Sequence, residues 1–102
     1  MLYISTVGPV DPATGSLAGQ GLKEQVRQCL QNLKALLETS GSSLDKIVWA
    51  NWCLRDQNDF DSFNEEWIKY FPGDAPIGQG TLMPPLQRRA GFRVSLGVIA
   101  QQ

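Results

Sequence analysis

Arg88, Arg89 and Arg93, with Ser95 two residues beyond the last, are the side chains best suited to chemistry in this chain of 102 residues. A guanidinium presents a planar fork of N–H donors that grips a carboxylate or phosphate through two parallel hydrogen bonds. The adjacent pair Arg88–Arg89 reads either as solvated surface or as an anchor reaching in from a loop. On an extended segment Arg93 and Ser95 point the same way, roughly 7 Å apart, so both could meet one ligand. There is no histidine, which removes the Ser-His and Cys-His nucleophile pairs and the usual zinc sites. Cys29 and Cys53 have no motif spacing and read as reduced core residues. Gly78-Gln79-Gly80 is too short for a dinucleotide loop, and no Gly-rich run ends in Lys and Ser/Thr to cradle phosphates. Neither a metal nor a cofactor is expected.

The elements that position these residues are organised around the stretch from Gly19 to Asp56. Leu22, Val26, Cys29, Leu30, Leu33, Leu36 and Leu37 recur at steps of three and four, the stripe of a long amphipathic helix. Ser40-Gly41 supplies its stop. Ile47 to Arg55 follows as a strand rich in branched and aromatic residues. Period two puts Val48, Ala50, Trp52 and Leu54 on one face and Ile47, Trp49, Asn51, Cys53 and Arg55 on the other. Both faces are largely apolar. One helical layer covers one of them, so a partner chain is expected over the second.

Either side of this unit the pattern is shorter. Met1 to Val7 reads as a strand, and residues 8 to 15, with two prolines and two glycines, as a loop. Asn58 to Phe71 reads as a second helix, capped by Asp59 or Asp61, with Phe60, Phe63, Trp67, Tyr70 and Phe71 as its stripe. Asn64 reads as a solvated or capping amide. Residues 77 to 83 approach a strand and 84 to 91 form a loop. Phe92 to Ala100 closes the chain as a strand, with Phe92, Val94, Leu96, Val98 and Ala100 on one side and Arg93, Ser95, Gly97 and Ile99 on the other.

Length and charge bound the rest. A chain of 102 residues is one domain, 1–102, and buries only roughly 60 to 70% of its unfolded surface alone. A net charge of −1 gives no general attraction to nucleic acid or to an anionic membrane. No apolar run is long enough to span a bilayer, and a cytoplasmic location is the expectation.

The order of motifs resembles the Rid superfamily, also called the RidA or YjgF family. The carrying residues are Leu2-Tyr3-Ile4-Ser5, Asp11-Pro12-Ala13-Thr14-Gly15, Gln25, Asn32-Leu33, Ser43-Leu44-Asp45, Asp59-Phe60, Phe63-Asn64, Tyr70-Phe71-Pro72-Gly73 and Ile99-Ala100. The resemblance implies an α+β fold of the chorismate-mutase-like type. It has a mixed sheet with two helices packed on one face, assembled as a homotrimer with small-molecule clefts between subunits. Active members hydrolyse enamines and imines, releasing ammonia and a keto acid. In them an arginine of a Pro-x-Arg sequence holds the substrate carboxylate, and an acidic residue comes from the last strand.

This chain departs at both places. Pro76-Ile77-Gly78 carries glycine where that arginine would fall, Gln79 follows it, and Ser95 stands where the acid is expected. Ser5 and Asn64 match ligand-contact positions. The family's first strand and its Gly-Pro-Tyr-Ser segment would lie upstream of Met1. The expectation is therefore a small-molecule cleft without the standard imine deaminase chemistry. The alternative is a deaminase, or a related hydrolase of small carboxylates, anchored by Arg93, Arg88 or Arg89. A ribonuclease role ranks third, because no basic aromatic surface is evident.

Overall fold

The computed structural model describes all 102 residues. Helix α1 (Leu22–Thr39) forms because its apolar residues fall on one stripe: Val26, Cys29, Leu30, Leu33 and Leu37 are completely buried. Gly41, at φ 82°, takes the left-handed conformation that lets the last turn close on itself. Two positions of the stripe differ from expectation. Leu36 lies a sixth of a turn or more off the buried line and is 48% exposed. Gln25 is fully buried in the apolar layer instead. Its amide is tolerated there because it is satisfied. Nε2 donates to the carbonyls of Gly19 and Gly91 at 2.9 and 3.2 Å, and Oε1 accepts from the Arg93 N–H at 2.7 Å.

Six strands are present. Strand β1 (Leu2–Val7) is followed by a small hairpin of β2 (Val10–Asp11), inside the stretch expected to be a loop, and β3 (Ser16–Leu17), just beyond it. Strands β4 (Ile47–Leu54), β5 (Gly78–Leu82) and β6 (Val94–Ala100) join β1 in a sheet of order β1-β6-β4-β5. The β1–β6 and β6–β4 pairs are antiparallel and the β4–β5 pair is parallel. The sheet is therefore mixed, as expected. Ala50 and Leu54 of β4 and Val94, Leu96, Val98 and Ala100 of β6 pack against α1. The expected face of β4 is corrected at its start. Ile47 pairs with Ala100 and Trp49 with Ile99, so Val48 is the extra residue of a bulge. Ile47 takes the inward place, and Val48 is exposed.

Helix α2 (Phe60–Trp67) lies between 3₁₀ turns at Gln57–Asp59 and Ile68–Tyr70. Phe63 and Trp67 pack against Trp52 of β4 in tilted arrangements, with ring centroids 5.7 and 5.9 Å from it. Both helices thus cover the same side of the sheet. Of the expected stripe, Phe63, Trp67 and Phe71 are buried, whereas Phe60 is exposed and Tyr70 half-buried. Neither expected cap forms. Asp56 accepts from the Asn58 N–H at 2.9 Å, opening the turn ahead of the helix, and Asp59 pairs with Arg93 instead. The expected loop at 84–91 holds a short helix, α3 (Pro85–Arg89), which begins on a proline whose missing N–H costs nothing there. No helix is long and apolar enough to cross a membrane.

Glu66 is the charged residue locked most firmly into this framework. It is buried on α2 and bonded to Arg27 of α1 and to Lys69, each at 3.2 Å. Burial opposes its ionisation, but the hydrogen bonds and positive charges of Arg27 and Lys69 outweigh burial and hold its pKa below the usual glutamate value. A folded-state pKa below the unfolded one adds stability above the unfolded value, about 4.3, and that stability is lost as pH falls through the lower folded value. In urea unfolding followed from pH 7 to pH 3, Glu66→Gln is expected to flatten the acid loss of stability. An unchanged slope would show that other carboxylates carry it.

Candidate functional site

The side of the sheet away from α1 and α2 is covered within the chain only at its Ser95 end, where α3 lies against it through Gln87. Alternation along the strands brings Tyr3 and Ser5 of β1, Trp49 and Asn51 of β4, and Gln79 and Thr81 of β5 around one hollow of about 440 Å³, floored by Gly97. A Cβ on Gly97 would lie 2.6 Å from the Ser5 carbonyl oxygen, so the bulged backbone of β1 crosses there only because the residue is glycine. Polar groups meet in the hollow. The Thr81 hydroxyl reaches Asn51 Oδ1 at 3.3 Å and lies 3.2 Å from Cys53 Sγ, and Asn51 Nδ2 contacts the same sulfur at 3.7 Å. No charged side chain lines it. Tyr3 is 73% exposed and Trp49 half-buried beside these amides, so the surface mixes aromatic area with neutral donors and acceptors.

Two further hollows border the helical layer. One, of about 470 Å³, lies at the β5 edge between Trp52, Leu54, Gln57, Phe60, Gly80 and Thr81. The other, of about 580 Å³, separates α1 from the loop after β1 and includes Leu36, Asn32 and Phe92. Asn32 Nδ2 bridges the carbonyls of Gly8 and Val10 at 3.1 and 2.8 Å, which pins that loop to the helix. No three His, Cys, Asp or Glu side chains converge as a metal site.

The residues singled out from the sequence separate into groups. Ser5 and Gln79 share the open hollow. Ser95 stands on the same side, opposite Cys53 in the ladder, and its hydroxyl donates to Gln87 Oε1 of α3 at 2.7 Å. Gly78 faces the other way, against Ala50 and Trp52, where an added Cβ would lie 2.0 Å from the Ala50 oxygen. Asn64 is half-buried on α2, in the helical layer. Arg93 does not join Ser95. It precedes β6, its N–H is held by Gln25, and its guanidinium pairs with Asp59 at 3.0 Å. Strand alternation does not extend to a residue outside the ladder. Arg88 and Arg89 are exposed on α3. Cys53, expected in the core, is half-buried on the open side. Cys29 is a core residue whose thiol burial pushes well above its ordinary pKa, so it stays protonated.

Comparison with known proteins places this geometry. The family model described as Endoribonuclease L-PSP matches residues 1–95. A RutC family protein of Saccharolobus solfataricus is 41% identical over 102 residues, covering the whole of this chain and 79% of its own. The chain belongs to the Rid superfamily. A mouse protein named 2-iminobutanoate/2-iminopropanoate deaminase is 35% identical over 101 residues, 99% of this chain and 73% of that one. Among solved structures, the Rid-family protein YyfA of Yersinia pestis superposes with a TM-score of 0.89 at 30% identity, covering 98% of this chain and 79% of that one. The mixed sheet with helices on one face is thus the Rid fold.

Within this Rid chain the sequence reading passed over Asn51 and Thr81. Asn51 carried a signal, being the one amide inside an otherwise apolar strand. Thr81 became legible only once β5 was set in register against β4, Thr81 opposite Cys53. That register makes neighbouring residues behave oppositely. Gly78→Ala forces a methyl into the backbone of β4 and is expected to cost about 1–3 kcal/mol in urea unfolding. Gln79→Ala, which faces the open side, is expected to stay within about 0.5 kcal/mol of wild type. Equal effects would contradict the register.

Proposed function

We propose that this Rid-family chain binds a small polar molecule in a cleft formed where copies of itself meet, as a homotrimer, and that it lacks the standard imine deaminase reaction. The observation that carries this reading is the open side of the sheet. It is half apolar, is covered within the chain only by α3 at the Ser95 end, and holds a hollow lined by Ser5, Asn51, Gln79 and Thr81 without a charged group. A closed three-fold assembly hides such a surface on every subunit at once. Neutral amides and hydroxyls at the mouth of an apolar hollow suit a ligand with several hydrogen-bonding groups.

The missing chemistry follows from charge. An imino acid needs a bidentate cation for its carboxylate and a group that orients water at the imine carbon. By resemblance to the family, the cation would stand at Gly78 and the acid at Ser95. Gly78 has its back to Ala50 and Trp52, and Ser95 brings a hydroxyl already bonded to Gln87. Loss of such an anchor inside a cleft costs on the order of 2–5 kcal/mol of carboxylate binding or transition-state stabilisation.

A second reading is favoured by the likeness to the mouse deaminase. In it the chain hydrolyses 2-imino acids, with Arg88, Arg89 or Arg93 holding the carboxylate. Arg93 would first have to leave Asp59. Generating 2-iminopropionate with an amino-acid dehydratase and timing ammonia release separates the two. The expected result is the spontaneous rate with or without the chain. Acceleration matching an active family member, and lost in Arg93→Ala, would establish the second reading.

A further inference from the structure

The cations of this chain are unevenly partnered. Lys23 pairs with Glu65, Arg27 and Lys69 with Glu66, and Arg93 with Asp59. Lys34, Lys46, Arg55, Arg88 and Arg89 have no carboxylate partner, and among these Arg88 reaches the backbone of Arg55, with Arg89 next to it in the chain. Arg88 is fixed rather than free. Its Nε donates to the Met83 carbonyl at 3.3 Å and its Nη2 to the Arg55 carbonyl at 3.1 Å. Both acceptors are neutral, so the guanidinium is oriented while its charge stays uncompensated. Both N–H groups of Nη1 and one of Nη2 remain available.

The surroundings concentrate positive charge there. The Arg55 N–H donates to the Arg93 carbonyl at 3.0 Å just past the end of β4, and Arg55 is exposed there. The Ser95–Gln87 bond ties α3 to the open side of the sheet, with Arg88 and Arg89 on its last turn. Asp59 is paired with Arg93, and the exposed Asp56, next to Arg55, accepts from the Asn58 N–H and pairs with no cation.

We infer that Arg88, flanked by Arg55 and Arg89, is a binding site for a compact dianion, a phosphate group either free or carried by a small molecule. A monocarboxylate brings a single charge to the fixed Arg88 fork and its arginine neighbours in the chain and fold, whereas a phosphate offers a charge near −2 and three strong acceptors. The inference does not rest on the neutral hollow as a ligand site, so either can fail without the other.

The test is a titration of the full chain with sodium phosphate, glycerol 3-phosphate, sodium acetate and a short oligoribonucleotide at constant ionic strength, following the amide resonances of residues 85–91. Saturable shifts are expected with both phosphates, and about tenfold weaker or no binding with acetate. Tighter binding of glycerol 3-phosphate than of phosphate identifies a phosphorylated small molecule as the source, and equal binding identifies free phosphate. Arg88→Gln is expected to weaken binding about tenfold, as is Arg89→Gln by a smaller factor with the carbonyl contacts of Arg88 intact, while Lys34→Gln changes nothing. Failure to saturate, undiminished binding in both arginine variants, acetate binding as tight as phosphate, or tighter binding of the oligoribonucleotide than of either phosphate would each overturn the inference.

Discussion

A sheet covered on one side by α1 and α2, and on the other only at one end by the short α3, is the constraint from which the rest of this molecule follows. The α1 stripe of Val26, Leu30, Leu33 and Leu37 meets Val94, Leu96, Val98 and Ala100 so completely that none of the eight is more than 3% exposed. Helix α2 then closes the β4 half of that layer through Phe63 and Trp67 on Trp52. Burial of apolar surface at about 25 cal/mol per Å² makes this interface a main opponent of chain entropy. Only the short α3 reaches the reverse side, at the Ser95 end.

Much of this was legible in the residues. Seven apolar positions at helical spacing announced α1, and the two-sided apolar character of Ile47 to Arg55 announced the uncovered surface. What escaped was set by pairing rather than by pattern. The bulge at Val48 depends on how β4 meets β6, and nothing local in Ile-Val-Trp distinguishes the inward residue. The burial of Gln25 could not be read from spacing, because its three hydrogen-bond partners, at Gly19, Gly91 and Arg93, are set by the fold and two of them are distant in sequence. Arg93 was misplaced for the same reason: the amide that would have extended β6 is held by that glutamine. The short α3 carried a readable signal, Pro85 at a helix start, masked by the double proline.

The candidate site was legible in part. Ser5 and Gln79 lie in the hollow, but the carboxamide and hydroxyl that complete it, Asn51 and Thr81, become neighbours only through the parallel register of β4 and β5. The separation of Ser95 from Arg93 has a functional consequence. Neutral groups occupy the floor of the open side, and the uncompensated guanidinium of Arg88 stands at its end, fixed by carbonyls instead of acids. On this account polarity is graded along the sheet, and a Rid fold can change its ligand chemistry without changing its core.

The central claim is that the open side is covered by further copies of the chain. Sedimentation equilibrium at micromolar concentration tests it most directly. A mass near three times the 11.3 kDa of one chain, falling to that of one chain when Trp49 or Ile99 is replaced by glutamate, is the predicted result. A stable species of 11.3 kDa across the same concentrations in the unaltered protein would contradict it.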